Sequence, residues 1–524
     1  MSPLTEEWRK APLVDNFEGG MRLDKSESLL EPPFGPGNEM RRMTNFILDE
    51  RGLAKVRPGY LKAHASGITG CIGIDSFIRW ERPTGSVWVI AAKTATYTKI
   101  YTFDGTTFTE VTGGGTLLDG YKVHFLVFQQ YLLIYNGNVF QYMDNTTTKA
   151  DVVFAGTSAY SPIPKIAEVS DGRLFVVTAV TGERNTCYFS IEGGWTTDPG
   201  TDMEFEANDT FQVDNRFLDS TGATCLWSYS DTDNLLNYTR NNSRILIGEY
   251  GGNYENRQTS RKDGCVAQHG IAETDDMSGN GMAVYVGKTN FYMFRADNNY
   301  PIGNGVWPLV KGTDMSNCVA CTVPQWNSVL FTYLNGILCY NSITNGWTVF
   351  DIEGVSHIAR QTDGNTNAIY FSFSDDNNLY YFDDYTYTDN GTDITVLIES
   401  PEYALGDWSM DKLISRVIVR CNTLTNTIGT MQIITSSLES GHQFNKKVAD
   451  VQISVEAPAH YATYDDPLTI YDESIYADSM TRLAHADYDA ELEGSTVKFI
   501  YSYTGHYPLS IHGITLRLKT KNRN

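Results

Sequence analysis

The sequence has no long apolar run. No stretch approaches the length of about 20 residues that a membrane-crossing helix needs, so no helical span is expected. Helical periodicity of apolar residues is nearly absent over the 524 residues, which excludes a helix bundle or coiled coil. Positive charge is scarce: Lys and Arg number 40 against 63 Asp and Glu, giving a net charge of −23. Binding nucleic acid by neutralising phosphates needs the opposite balance. A protein past which nucleic acid slides is still compatible, because an acidic wall repels phosphate. Met1 to Asn16 is polar and charged, with no apolar centre, so no signal peptide is expected and the chain is read as made in a cytosol.

Cysteine is sparse for a disulfide scaffold, at 8 residues. Cys187, Cys225, Cys339 and Cys421 sit in apolar runs and read as buried free thiols. Cys318-x-x-Cys321 has no second pair and no His partner, and on a strand its two members face opposite sides. The signatures G-x-S-x-G, G-x-x-x-x-G-K-[ST] and H-E-x-x-H are missing, as are Asp-box repeats. No catalytic residue, cofactor or metal ligand is therefore assigned, and the chain is read as a non-enzyme. His269 has no nucleophile or acid at a motif spacing beside it and reads as a packing or surface histidine.

What the sequence does hold is aromatics, glycine and short β-forming runs: 32 Tyr, 24 Phe, 9 Trp and 45 Gly. Asn327 to Glu353 contains the runs Val329–Tyr333, Ile337–Tyr340 and Trp347–Phe350, separated by Asn335-Gly336 and Asn345-Gly346. Asn-Gly supplies the positive φ of tight hairpin turns, so this is an antiparallel meander. A lone meander cannot bury both its faces. Five further hairpins answer it: Thr98–Phe103 with Thr107–Val111, Tyr131–Tyr135 with Val139–Met143, Arg173–Thr178 with Cys187–Ile191, Ala283–Val286 with Asn290–Arg295, and Ala368–Phe373 with Leu379–Asp383. Their separation of roughly 40 to 60 residues is blade-like. The expected fold is all-β: a divergent propeller of about five to seven blades over residues 61–395, with a set of β-sandwiches as the competing reading. Residues 396–524 read as a β-sandwich, with Leu413–Cys421, Thr430–Thr435, Thr496–Tyr503 and Ser510–Lys519 as strands; the last two read as a pair joined at Thr504-Gly505-His506.

Residues 1–60 are dense in Pro and Gly and cannot form a core alone, so they read as an extended arm that lies along a larger body or on a neighbouring subunit. Phe17 and Phe34 are its anchors. In order it carries F-E-G-G from Phe17, Asp24, N-E-M-R-R-M-T-N from Asn38, and G-L-A-K-V-R-P-G-Y ending at Arg57-Pro58-Gly59-Tyr60. This order resembles the opening of tail hub, nozzle and packaged-DNA stabilisation proteins of short-tailed bacteriophages. Further along, Ser243–Tyr250 with its glycine pair, then G-C-V-A-Q-H-G-I-A from Gly264, a hairpin, and Pro301-Ile302-Gly303 are similar to the same family, as is the closing strand pair. The likeness covers about half the chain.

The resemblance implies a structural virion protein: a sixfold ring below portal and adaptor that continues the DNA channel, retains packaged DNA and releases it at infection. The implied partners are copies of the same chain, a head-to-tail connector above, fibre, spike or needle proteins below, and viral DNA in transit without specific binding. The implied place is the tail, assembled in the bacterial cytoplasm. On this reading Phe17, Phe34, Arg57 and Tyr60 serve assembly, and removing residues 1–60 leaves a folded propeller. Tyr461 to Asp478 alternates Tyr with acids; Asp465, Asp466, Asp472 and Glu473 are candidates to face a lumen or a partner, with a calcium loop disfavoured by the spacing. A receptor- or glycan-binding propeller, and less so a glycosidase, are the alternatives.

Overall fold

A computed structural model describes residues 9–14, 16–25, 38–118, 120–180, 182–207, 209–213, 222–230, 232, 234–248, 254–361, 367–404, 411–423, 427–438, 444–455 and 482–521. Among these the regular structure is almost entirely strand, and no helix is long and apolar enough to cross a membrane.

Seven antiparallel sheets of four successive positions follow one another along the chain, five of them separate and the last two joined within one larger sheet. Their inner strands are Gly73–Trp80, His124–Phe128, Pro164–Ser170, Ala223–Tyr229, Ile271–Asp275, Ala320–Val323 and Val355–Arg360. We number these sheets blades 1 to 7. Inner strands of successive blades lie side by side except between blades 4 and 5, which are joined through the buried cluster holding Cys225 and Ile271, and that of blade 7 returns to that of blade 1, so the ring closes. The fold is a β-propeller, as the hairpin spacing implies.

The meander of blade 6 shows why these runs form blades. It comprises Ser328–Tyr333, Gly336–Asn341 and Trp347–Phe350. Val329 and Phe331 pack towards blade 5 with Val284, Phe291 and Trp347. Leu330, on the other face, packs towards blade 7 with Cys339, Phe350 and Phe371. Both faces are buried, so the run is continuously apolar rather than alternating. The turns differ in detail from the Asn-Gly expectation: positive φ falls on Gly336 and Asn345, not on Asn335 or Gly346. The other five hairpins pair as read.

The C-terminal part is a two-sheet sandwich. One sheet holds Asp411–Thr423, Arg482–Gly494 and Leu509–Lys521; the other holds Thr392–Glu399, Thr427–Leu438, Phe444–Val455 and Thr496–Gly505. The reading of Thr496–Tyr503 and Ser510–Lys519 as a hairpin pair is corrected here. The first pairs with Thr392–Glu399 and Thr427–Leu438, the second with Asp411–Thr423, so the turn between them crosses from one sheet to the other. Alternation gave both strands a buried face; it could not say which neighbour each takes.

Of the two placements open to the arm, the described residues lie along the body of their own chain. Arg9–Val14 and Ala54–Val56 pair with the last strand of the sandwich. Arg42–Thr44 lies between the outer strand of blade 6 and Thr392–Glu399, fusing propeller and sandwich into one sheet. Gly59–Lys62 is the outer strand of blade 7, paired with Leu379–Asp383. Removing residues 1–60 would strip half of that strand, so a folded propeller is not expected to remain.

Candidate functional site

Two places concentrate chemistry. The first is the joint made by the arm. Phe17 is fully buried in the sandwich core, and its N–H donates to Gly52 O at 2.8 Å. Gly20, at φ +56°, lies where a Cβ would overlap the backbone of Trp347, and the Met21 N–H donates to Trp347 O at 2.9 Å. Asn45 adopts φ 62°, which Asn tolerates better than most residues. Its amide donates to Thr395 O at 2.7 Å and to the Asp351 carboxylate, while its Oδ1 accepts from Arg57 Nε at 2.9 Å.

Arg57 is the centre of this joint. It is completely buried, yet four of its five N–H groups are bonded: two in parallel to Asp389 at 2.8 and 2.6 Å, one to Pro58 O at 3.0 Å, and one to Asn45. A planar guanidinium suits such a fork; a lysine could not replace it. Asp351 stands 3.8 Å away on the solvent side, and the Phe350 ring lies beneath the charge. Gly59 lets the strand pass the backbone of Thr388, which a Cβ would overlap. Tyr60 follows, packed edge-on against Phe371 and Tyr380. Burial, with Asp389 adding to it, pushes the Tyr60 hydroxyl up to about 12.

Thus Phe17, Arg57 and Tyr60 make contacts within their own chain, and Phe17 and Arg57 present no surface to a second copy. Phe34, Asp465, Asp466, Asp472 and Glu473 lie outside the described residues.

The second place is the propeller axis. His124 opens the inner strand of blade 2, His269 precedes that of blade 5, and His357 lies in that of blade 7. His124 Nδ1 and His269 Nε2 share a hydrogen bond of 2.7 Å, and the His269 and His357 rings are 6.0 Å apart. Gln268 accepts from the Leu226 N–H at 3.1 Å and donates to Ala167 O at 3.3 Å, tying blades 3 and 4 to the start of blade 5. Burial and the positive charges nearby hold all three imidazoles well below the ordinary histidine range, His269 at about 3. They are neutral at pH 7.

His269 and Gln268 form a shared wall between two cavities, of about 610 and 230 Å³. Glu168 lines the smaller one, its carboxylate accepting from the Val169 N–H at 3.0 Å. Burial pushes it up to about 8, so it is largely protonated at pH 7. The larger cavity is rimmed by Lys122, Lys165, Arg184, Arg240 and Lys288. Sequence reading noticed His269 alone; its hydrogen-bond partner His124 is 145 residues away and in another blade, and no local spacing connects them. Cys318 and Cys321 are buried free thiols, and burial pushes both up, Cys321 to about 12. Among the described residues no group of three His, Cys, Asp or Glu has the placement of a metal site.

No protein-family profile and no curated protein matches the sequence. Among solved structures, the chain is similar to the extracellular domain of a putative one-component system from B. thetaiotaomicron, with 11% identity and a TM-score of 0.43. The match covers 80% of this chain and 62% of that one. So loose an alignment carries nothing about ligand or partner.

Proposed function

We propose that the chain is a structural component of a short bacteriophage tail, a hub or nozzle subunit whose copies form a ring continuing the DNA channel below portal and adaptor. The reading is supported by one observation above the others. The residues that carry the resemblance, Phe17, Gly20, Asn45, Arg57, Gly59 and Tyr60, are those on which the closure of the propeller and its fusion to the sandwich depend. They act as architecture, which is what a mechanical part requires of its defining residues.

The ring, rather than the propeller of each copy, is the conduit in this proposal, since the propeller axis is filled by His124, Gln268 and His269. The net charge of −23 per copy fits a wall that repels phosphate and lets DNA slide. Retention of packaged DNA, contacts with a connector above and with fibre, spike or needle proteins below, and a sixfold count belong to the same proposal. The purified chain is expected to form closed rings in negative-stain images, with carboxylates dominating the lumen once resolved at atomic detail. Monomers at every concentration, with the protein absent from particles, would sink the reading and turn attention to a glycan-binding propeller. A predominantly basic lumen would remove the sliding mechanism.

A further inference from the structure

The cavity on the larger side of the axis reverses the charge balance of the chain. Acids outnumber bases 63 to 40 overall. Among the described residues, five cationic side chains stand around this cavity, Lys122, Lys165, Arg184, Arg240 and Lys288, and one carboxylate, Asp314. They come from separate elements: Lys122 precedes the inner strand of blade 2, Lys165 lies on that of blade 3, Arg184 is on the next connection of blade 3, and Arg240 and Lys288 are on turns of blades 4 and 5. Four blades thus point positive charge into one space of about 610 Å³.

Among the described residues no carboxylate pairs with Lys122, Lys165, Arg184, Arg240 or Lys288; Lys288 reaches only the Asn241 amide oxygen, at 3.4 Å. Asp75, whose charge acts on Lys122, is already held by Lys93 at 3.1 Å and by the Val123 N–H at 2.7 Å. Burial and then the charge of Arg184 disfavour the charged form of Lys165. Gathering like charges is costly unless something between them is negative. The cavity also offers an apolar wall at Trp307 and Met315, and its size suits a small molecule rather than a duplex.

We propose that this cavity is a binding site for a small ligand carrying several closely spaced oxyanions, of the phosphate or sulfate class, held between Lys165, Arg184, Arg240 and Lys288 over Lys122. The site is a property of the single chain and does not depend on the tail reading, so either can fail without the other.

The test is calorimetric titration of the full chain at low salt with two probes, inorganic tripolyphosphate and a fully sulfated heparin disaccharide. Lys165, Arg240 and Arg51 are exposed, so K165Q, R240Q and the remote control R51Q should fold normally. Saturable binding at one per chain is expected. K165Q and R240Q should each weaken it by about three- to tenfold, added salt should weaken it further, and R51Q should leave it unchanged. Tighter binding of tripolyphosphate identifies a phosphate ligand; tighter binding of the disaccharide identifies a sulfated sugar. No saturable binding of either probe overturns the proposal, as does binding that K165Q and R240Q leave intact or that R51Q weakens equally.

Discussion

Replacing Arg57 by Met tests how the chain's beginning closes its propeller. Met keeps most of the volume and removes the fork. The Asp389 carboxylate and Pro58 O lose the guanidinium, and Asn45 Oδ1 is left with the Asp351 N–H at 3.2 Å. Breaking a buried ion pair by removing one partner costs about 3–5 kcal/mol. The Asp389 side chain retains 21% of its exposure and can recruit water, which lowers the expected cost to about 2–4 kcal/mol. The loss falls on one element. Asp389 pairs with Tyr60, and Gly59–Lys62 completes blade 7. Local opening of that strand should therefore rise by about 30- to 800-fold. Hydrogen exchange of the amides in Gly59–Lys62 and Leu379–Asp383 reads this directly, with the inner strand of blade 4 as an internal reference. D389N should open the same strand, and the double variant should show coupling of about 1–3 kcal/mol. An R57M protein whose blade 7 amides exchange within about threefold of the original would refute the latch.

Three further outcomes follow from the structure. G59A should destabilise the chain by about 1–3 kcal/mol, seen as a lower melting temperature, because its Cβ overlaps the Thr388 backbone; an unchanged melting temperature would contradict the close approach. The three axial histidines have folded pKa values below the unfolded value of 6.5, so their contribution is intact above pH 6.5 and is lost as pH falls below it, for His269 down to about 3, by up to about 1.4 kcal/mol per pH unit for each. Replacing His124 by Gln should flatten the acid limb of a stability–pH profile, and an unaltered limb would count against the cluster. Glu168 acts in the opposite sense: its folded pKa of about 8 exceeds the unfolded 4.5, so its penalty grows from pH 4.5 to pH 8. E168Q should gain about 1–3 kcal/mol at pH 8 and nothing at pH 4; equal effects at both would show that the carboxyl is not buried as described.

The hairpins were legible because their information is local. Leu330 and Phe331 belong to a run of β-forming residues bounded by Asn and Gly, and nothing distant is needed to read it as a strand. The partners of Thr496–Gly505 and Leu509–Lys521 were not legible, because alternation marks the buried face and leaves the neighbour open. Arg57 was noticed for its motif but misjudged. An arginine among prolines and glycines reads as a surface arm, and only the structure brings Asp389, 332 residues away, to its guanidinium. The basic cavity was invisible for a similar reason: each of its five cations stands alone in sequence, on a different element, within a chain that is acidic on average.

The most direct test of the proposed function is immunogold labelling of phage particles with antibody raised against this chain. Gold confined to the tail at a single vertex is the predicted result. Unlabelled particles, with the chain recovered only as free protein, would contradict it.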